Sequence, residues 1–542
     1  MPQRRFEHTP AGRAREVLLL AITCALTAAA WHVGVITLRG RILGRLTWTS
    51  DALPWMAPVA YVTLFLLLAL PLALLVRFVH RRGAMAASLF ILLSVAGFSM
   101  LMLVPRVEPI ALSILALGLA VSLTRILAAS DAAWRGVRLL MALSSAACLL
   151  LAGESIAHRL LAASGGSAVA DDDAPNVLLV ILDTVREANL SVYGYERETT
   201  PALQRLADDG MTFTHAIAPS SWTLPSHASM FTGRPARDLD AFWRVPWNSP
   251  DTTLAERLRE RGYATGGFVA NLLYTHREVG LARGFDRYQD FVRSPRQFLG
   301  STVIGQLPWL NILLFNDSTA KREVGILGSA WRLPRAAITA RKHAAQVTDE
   351  FLDWQGGLDG QPFFAFLNYF DAHTPYDVAP EFEGRFGGGE SQVDRYDGAI
   401  ASIDAQLGRL FDELRRRGVL KRTLVIVTAD HGEQFGEHGL VEHGNSLYGQ
   451  VLRVPLILRL PGRVPAGVRI DAAVSTTDIG ATIFDAIDAA KSPGAHPAFR
   501  GRSLLAATMD SLQATQPLFA WVSQNSSALP GGPNQLGAME AI

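Results

Sequence analysis

The chain has 542 residues, enough for more than one domain, and a formal net charge of +1 at pH 7. Such a balance gives no case for nucleic acid as a partner, which calls for a basic face or stripe. The two cysteines, Cys24 and Cys148, both fall in apolar stretches, so the remainder of the chain has no disulfide and no thiol chemistry.

Residues 1–160 are largely apolar. Five hydrophobic spans are expected there, at about Val17–Leu38, Trp55–Phe78, Ala86–Val104, Ile110–Ala128 and Val137–Ala152. Each approaches the roughly 20 apolar residues with which a helix crosses a bilayer. A cleaved signal peptide has one shorter apolar core, and a water-soluble bundle rarely holds runs so long and so repeated. His32 is almost the only ionisable residue inside the spans, whereas a transport path needs several, so an anchor in the lipid bilayer is the reading. Arginines concentrate at the N-terminus (Arg4, Arg5, Arg13, Arg15), in the second loop (Arg77, Arg81, Arg82) and in the fourth (Arg125, Arg135, Arg138). The first loop has Arg39, Arg41 and Arg45, and the third Arg106 alone. This places the N-terminus in the cytoplasm and everything after residue 160 outside it.

Residues 161–175 are small and polar and read as a linker. Asn176–Leu182 is a continuous apolar run of strand length, and Gly267–Ala270, Pro362–Leu367, Thr423–Thr428 and Val454–Leu458 resemble it. Helical patterns lie between them, at Pro201–Asp209, Thr253–Arg261, Arg335–Trp354 and Tyr396–Arg417. The alternation predicts an α/β domain with a largely parallel central sheet.

In such domains ligands bind beyond the carboxyl ends of the strands, where this chain places Asp183, then Asp371 and His373, then Asp430 and His431. Ser220–Arg234 reads as a loop entering a short helix, with Thr223 on the loop and Pro225 near the first helical position. A hydroxyl beside a helix N-terminus lies next to an anion site, which suits a nucleophile for phosphoryl or sulfuryl transfer. Gln297–Phe315 is apolar but broken by glycine and proline. It is either an insertion on the membrane surface or along a path for a lipid-like substrate, or a loop packed on the domain. Pro530–Pro533 reads as disordered.

From residue 176 onward the chain resembles the sulfatase family of the alkaline phosphatase superfamily. The matching pieces are Ile181-Leu-Asp-Thr-Val-Arg186, Ser191–Tyr195, Thr200–Leu203, Trp222–Gly233, Gly262–Thr265, Gly284–Asp286, Asp371–Tyr376, Thr428–Glu433 and Glu437–Gly439, in family order over roughly 175–505. With its anchor, the chain also looks like lipoteichoic acid synthases and related phosphoglycerol or phosphoethanolamine transferases. The domains expected are a five-span anchor at 1–160, a linker at 161–175, an alkaline-phosphatase-like catalytic domain at 176–508 and a short tail at 509–542.

The resemblance implies that Asp183, Thr223, Asp430 and His431 hold a divalent metal. Mn²⁺ or Zn²⁺ comes first, with Mg²⁺ or Ca²⁺ as alternatives. It makes Thr223 the nucleophile and puts His373 at the leaving group or substrate oxygen. Arg186 and His438 or His443 would lie near the substrate anion. Two departures bear on the chemistry. Sulfatases proper carry Cys or Ser where Thr223 stands, converted to formylglycine, and threonine does not undergo that conversion. Their motif ends in Arg where this chain has His227, which therefore enters the catalytic set, and Thr184 replaces the second Asp of an Asp-Asp pair. The expected activity is cleavage or transfer of a phosphodiester or sulfate ester, on a lipid-linked or glycan substrate. It would take place on the periplasmic side of a bacterial inner membrane, through a covalent Thr223 intermediate. The alternatives are a sulfatase acting without formylglycine, an inactive membrane-anchored binding protein, and a transporter with an appended domain.

Overall fold

A computed structural model describes residues 9–43, 47, 49, 52–79, 82–104, 107–163, 174–241, 246–291, 295–307, 341–488, 501–505, 518–523 and 538–541. The chain divides into two compact units, one of Met1–Ala162 with Val292–Ala340, the other of Ala163–Phe291 with Arg341–Ile542.

The first unit is built on five helices: α1 (Pro10–Thr37), α2 (Leu53–Phe78), α3 (Arg82–Leu101), α4 (Pro109–Ala129) and α5 (Asp131–Ala163). All five contain a stretch long and apolar enough to cross a membrane. Their packing puts small side chains inward: Ala21, Ala25 and Ala28 of α1 and Ala57 and Ala69 of α2 are buried together around Tyr61 and Phe65. Leu139, Leu143, Leu149 and Leu150 of α5 stay exposed. Alanines at a helix contact let the backbones approach closely, as helix pairs do in lipid, and leucines on the outer surface suit an apolar surrounding. The described part of the apolar insertion, residues 295–307, belongs to this unit. Val303 N–H donates to Tyr61 Oη at 3.0 Å, and its side chain is buried with Met102, Leu103 and Leu112. Residues 308–315 of that insertion lie outside the described residues.

The second unit is an α/β fold. In chain order its strands are β1 (Asn176–Leu182), β2 (Met211–Ile217), β3 (Ala264–Val269), β4 (Arg287–Gln289), β5 (Phe363–Tyr369), β6 (Thr423–Thr428), β7 (Gln434–Phe435), β8 (Val441–Glu442), β9 (Arg453–Arg459) and β10 (Val468–Ser475). Eight of them form one sheet in the order β10-β2-β9-β6-β1-β5-β3-β4, in which β9 alone runs antiparallel. Every residue of β1, β5 and β6 is buried, because these central strands are covered on both faces. β1 pairs in parallel with β5 and β6, Ile181 lying opposite Asn368 on one side and Thr428 on the other. That register brings the three strand ends level.

β2, β4 and β10 are absent from the sequence reading. β2 and β10 mix buried with half-buried or exposed positions, Met-Thr-Phe-Thr-His-Ala-Ile and Val-Arg-Ile-Asp-Ala-Ala-Val-Ser, and so lack a continuous apolar run. The helix expected from Arg335 starts at Ala344, with His343 as its cap, and residues 335–340 lie outside the described ones. The tail contributes a two-stranded antiparallel pair, Ala520–Val522 with Met539–Ala541, held to the domain by Trp521 N–H donating to Pro219 O. Pro530–Pro533 lies outside the described residues.

Candidate active site

After helix α6 (Pro201–Asp208), helix α7 spans Thr223–Thr232, so Thr223 is its first residue rather than the last of the loop, and Pro225 is its third. The proline still breaks nothing, since the first N–H groups of a helix have no partner inside it. Ser226 Oγ donates to the Asp430 carbonyl at 2.6 Å and ties this helix to the loop after β6.

Three strand ends and this helix converge. Asp183 follows β1 and Asp430 and His431 follow β6; all three are fully buried, and one donor atom from each lies within 4.8 Å of the others. Thr223 Oγ1 is 3.3 Å from His431 Nε2. His431 Nδ1 donates to the Gly432 carbonyl at 3.0 Å, which leaves Nε2 as a lone pair facing the cluster. Asp183 Oδ2 accepts from Asn271 Nδ2 at 2.8 Å and from Asn368 Nδ2 at 3.3 Å. Asp430 Oδ1 accepts from the Thr184 and His431 amides at 3.2 and 2.9 Å. Among the described residues the other two carboxylate oxygens, Asp183 Oδ1 and Asp430 Oδ2, have no hydrogen-bond partner.

Buried carboxylates without a counter-charge hold protons tightly. Burial pushes Asp183 and Asp430 up to about 7, each from 3.8, and for Asp183 the neighbouring Asp430 adds to the rise. Burial lowers His431 to about 4, with His443 contributing. Two orphaned oxygens, an imidazole lone pair and a hydroxyl in one dry cluster make a mixed O/N donor set that fits a divalent cation.

His227 sits one turn into α7, fully buried. Its Nδ1 donates to the Thr223 carbonyl at 2.8 Å and lies 3.7 Å from Asp430 Oδ2, and its ring packs edge-on against Phe366. Burial lowers it to about 4, so it stands as a neutral imidazole supporting Thr223 and Asp430. His443 joins the cluster: its ring centroid is 4.5 Å from that of His431, 5.0 Å from that of His373 and 5.3 Å from that of Trp222. Gly444, at φ +72°, allows this, since a Cβ there would lie 2.2 Å from the Trp222 ring.

Arg186 and His438 are turned to other partners. Arg186 stacks over Phe435 and donates to Asn189 Oδ1, the Glu433 carbonyl and Glu437 Oε1. His438, at φ +57°, stacks on the exposed Tyr448 with centroids 3.8 Å apart.

Several participants went unread in the sequence. Asn271, just beyond β3, and Asn368, within β5, orient Asp183. The signal was an asparagine inside or just past an otherwise apolar strand. Thr184, noted in the sequence only as a departure from the resemblance, adopts φ +62° and turns its N–H onto Asp430, its carbonyl accepting from Tyr396 Oη at 2.8 Å. Glu433, fully buried, pairs with His443 Nδ1 at 3.0 Å, and burial pushes it up to about 8.

Residues 175–489 match the family model described as Sulfatase. Arylsulfatase A of Bos taurus is 30% identical over 342 residues, covering 58% of this chain and 64% of its own length. N-acetylgalactosamine-6-sulfatase of Sus scrofa is 27% identical, covering 66% of this chain and 71% of its own. The crystal structure of phosphonate monoester hydrolase of Agrobacterium radiobacter shares the fold, with a TM-score of 0.50 at 22% identity, covering 68% of this chain and 85% of that one.

Proposed function

The chain belongs to the sulfatase family, and we propose that it is a membrane-anchored, metal-dependent enzyme that cleaves or transfers a phosphate-diester or sulfate-ester group through a covalent Thr223 intermediate. The observation that carries this reading is the Thr223 hydroxyl at the start of α7, 3.3 Å from His431 and beside two buried carboxylates that each keep one oxygen without a hydrogen-bond partner among the described residues. The catalytic unit works outside the cytoplasm in this reading, which the arginine distribution around the five spans supports.

Asp183, Asp430, His431 and Thr223 would hold the cation, with Zn²⁺ or Mn²⁺ best suited to two carboxylates, an imidazole and a hydroxyl. When bound, such an ion supplies positive charge that makes the hydroxyl more acidic and offsets charge on a substrate oxygen. The chain's own groups do the rest. The free N–H groups at the start of α7 receive an anionic oxygen. Thr223 Oγ1 attacks phosphorus or sulfur in line, the bond to the ester oxygen breaks, the hydroxyl proton leaves with that oxygen as the free alcohol or phenol, and a threonyl ester results.

His373 Nδ1 donates to the Thr374 carbonyl at 2.9 Å, which leaves Nε2 as a lone pair. Burial, with His443 beside it, holds its pKa well below the usual histidine value. A neutral imidazole of this kind suits the second half-reaction, taking the proton of the water or acceptor alcohol that attacks the threonyl ester. Glu433 keeps His443 in one tautomer, its Nδ1–H directed to Oε1 and its Nε2 free for the substrate.

The relatives named as sulfatases favour sulfate esters, and this is the second reading. Threonine argues for phosphodiesters. A phosphothreonine can be attacked again at phosphorus, whereas a sulfothreonine lacks the elimination route that a formylglycine hydrate offers. The test is a side-by-side assay of metal-loaded protein on an aryl phosphodiester and an aryl sulfate, with Thr223→Ala as control. Faster phosphodiester cleavage, lost in the variant, supports the proposal; faster sulfate cleavage supports the second reading; cleavage that survives in the variant refutes both.

A further inference from the structure

We propose that His343, Asp371 and Asp377 form a second divalent-cation site, which fastens the loop carrying His373 to the segment where the chain re-enters the catalytic unit. One donor atom from each residue lies within 4.8 Å of the others: two carboxylate oxygens and one imidazole nitrogen. His343 caps the helix Ala344–Gly356, its own N–H donating to Gln346 Oε1 at 3.0 Å, and its Nδ1 is 2.7 Å from Asp377 Oδ2. Asp377 N–H donates to the Asp371 carbonyl at 2.8 Å and closes the 371–377 loop. Asp371 Oδ1 accepts from the Ala344 amide at 3.0 Å.

The ligand is indicated by the atom this arrangement leaves over. Asp371 is only 5% exposed, and among the described residues its Oδ2 has no hydrogen-bond partner. An ion pair between His343 and Asp377 accounts for those two residues but not for that oxygen, and a buried, unsatisfied carboxylate oxygen is costly. Arg341 is within electrostatic reach of both carboxylates, but its Nη2 is directed to the Phe370 carbonyl and, at 3.0 Å, to the His373 carbonyl. Three protein donors leave a position for water, the arrangement that Zn²⁺ accepts. His343 is largely exposed, so an ion has an entry path.

Metal content decides the matter. The full-length protein, purified in detergent and equilibrated with buffered Zn²⁺, is analysed by mass spectrometry of the metal alongside His343→Ala, Asp377→Asn and Asp430→Asn. Wild type is expected to hold two equivalents. His343→Ala, a change at an exposed side chain that leaves the fold intact, and the near-isosteric Asp377→Asn should each hold one. Asp430→Asn should also hold one, and the combination with His343→Ala none. A wild type with one equivalent that Asp430→Asn removes overturns the proposal, and so does His343→Ala retaining two.

Discussion

Asp183 shows how one side chain is prepared by its neighbours. Two asparagine amides hold its Oδ2 and leave Oδ1 pointing into the cluster. Removing one of these donors should loosen the carboxylate without removing it. Asn271→Ala is therefore expected to weaken metal binding at the Asp183 site by about 10–100-fold, as loss of a residue that orients a ligand generally does. Competition with a chelator measures this, and unchanged affinity would contradict the role. For His373 the neutral imidazole predicts a separation of steps. His373→Ala should lower steady-state turnover by about 10²–10⁴-fold while preserving a rapid burst of aryl product, because the first half-reaction does not need it. Loss of the burst together with turnover would assign His373 to the first step instead. The convergence of Asp183, Thr223, Asp430 and His431 was legible in the sequence, since they stand at strand ends or a helix start. Arg186 was expected near the substrate anion; its partners Asn189, Glu433 and Glu437 are set by the fold and were not readable from the motif.

At the scale of elements, the site depends on the level ends of β1, β5 and β6, and these were readable because double-sided burial demands unbroken apolar runs. β4 was not. Its three residues, Arg287–Gln289, carry no apolar run, and Asp290 after them is anchored from a distance. Asp290 is 1% exposed, accepts from the Arg277 amide at 2.8 Å and lies 3.3 Å from His276 Nε2. Burial alone would raise its pKa, but His276 and Arg277 prevail and hold it below the ordinary 3.8. A depressed carboxyl stabilises the fold above that ordinary value and loses the contribution as pH falls through the folded one. Asp290→Asn, which breaks a buried pair, should cost roughly 3–5 kcal/mol near neutrality and flatten the fall in stability below pH 3.8. Unfolding of both proteins across acidic pH tests this, and an unchanged acid limb would contradict it.

The whole chain joins helices that bury alanines and expose leucines to a domain with a doubly covered sheet. Hydropathy made the five spans visible, but their ends differed: α5 runs to Ala163, past the boundary set at residue 160, because its last turns are more polar than a hydropathy run admits. The orientation proposed from the loop arginines is open to direct measurement. Cys24 and Cys148 are buried, so a Glu381→Cys variant reports from an exposed position on the catalytic unit. A membrane-impermeant maleimide should label it in intact spheroplasts. Labelling only after lysis would place the unit in the cytoplasm.

The central claim is that Thr223 becomes esterified during turnover, and mass spectrometry of acid-quenched protein tests it most directly. Full-length enzyme is loaded with metal, mixed with excess aryl phosphodiester and digested, and the peptide containing Thr223 is sequenced. The account predicts a phosphoryl adduct on Thr223 that accumulates further in His373→Ala. Product formation with Thr223 unmodified, or with the adduct on another side chain, would contradict it.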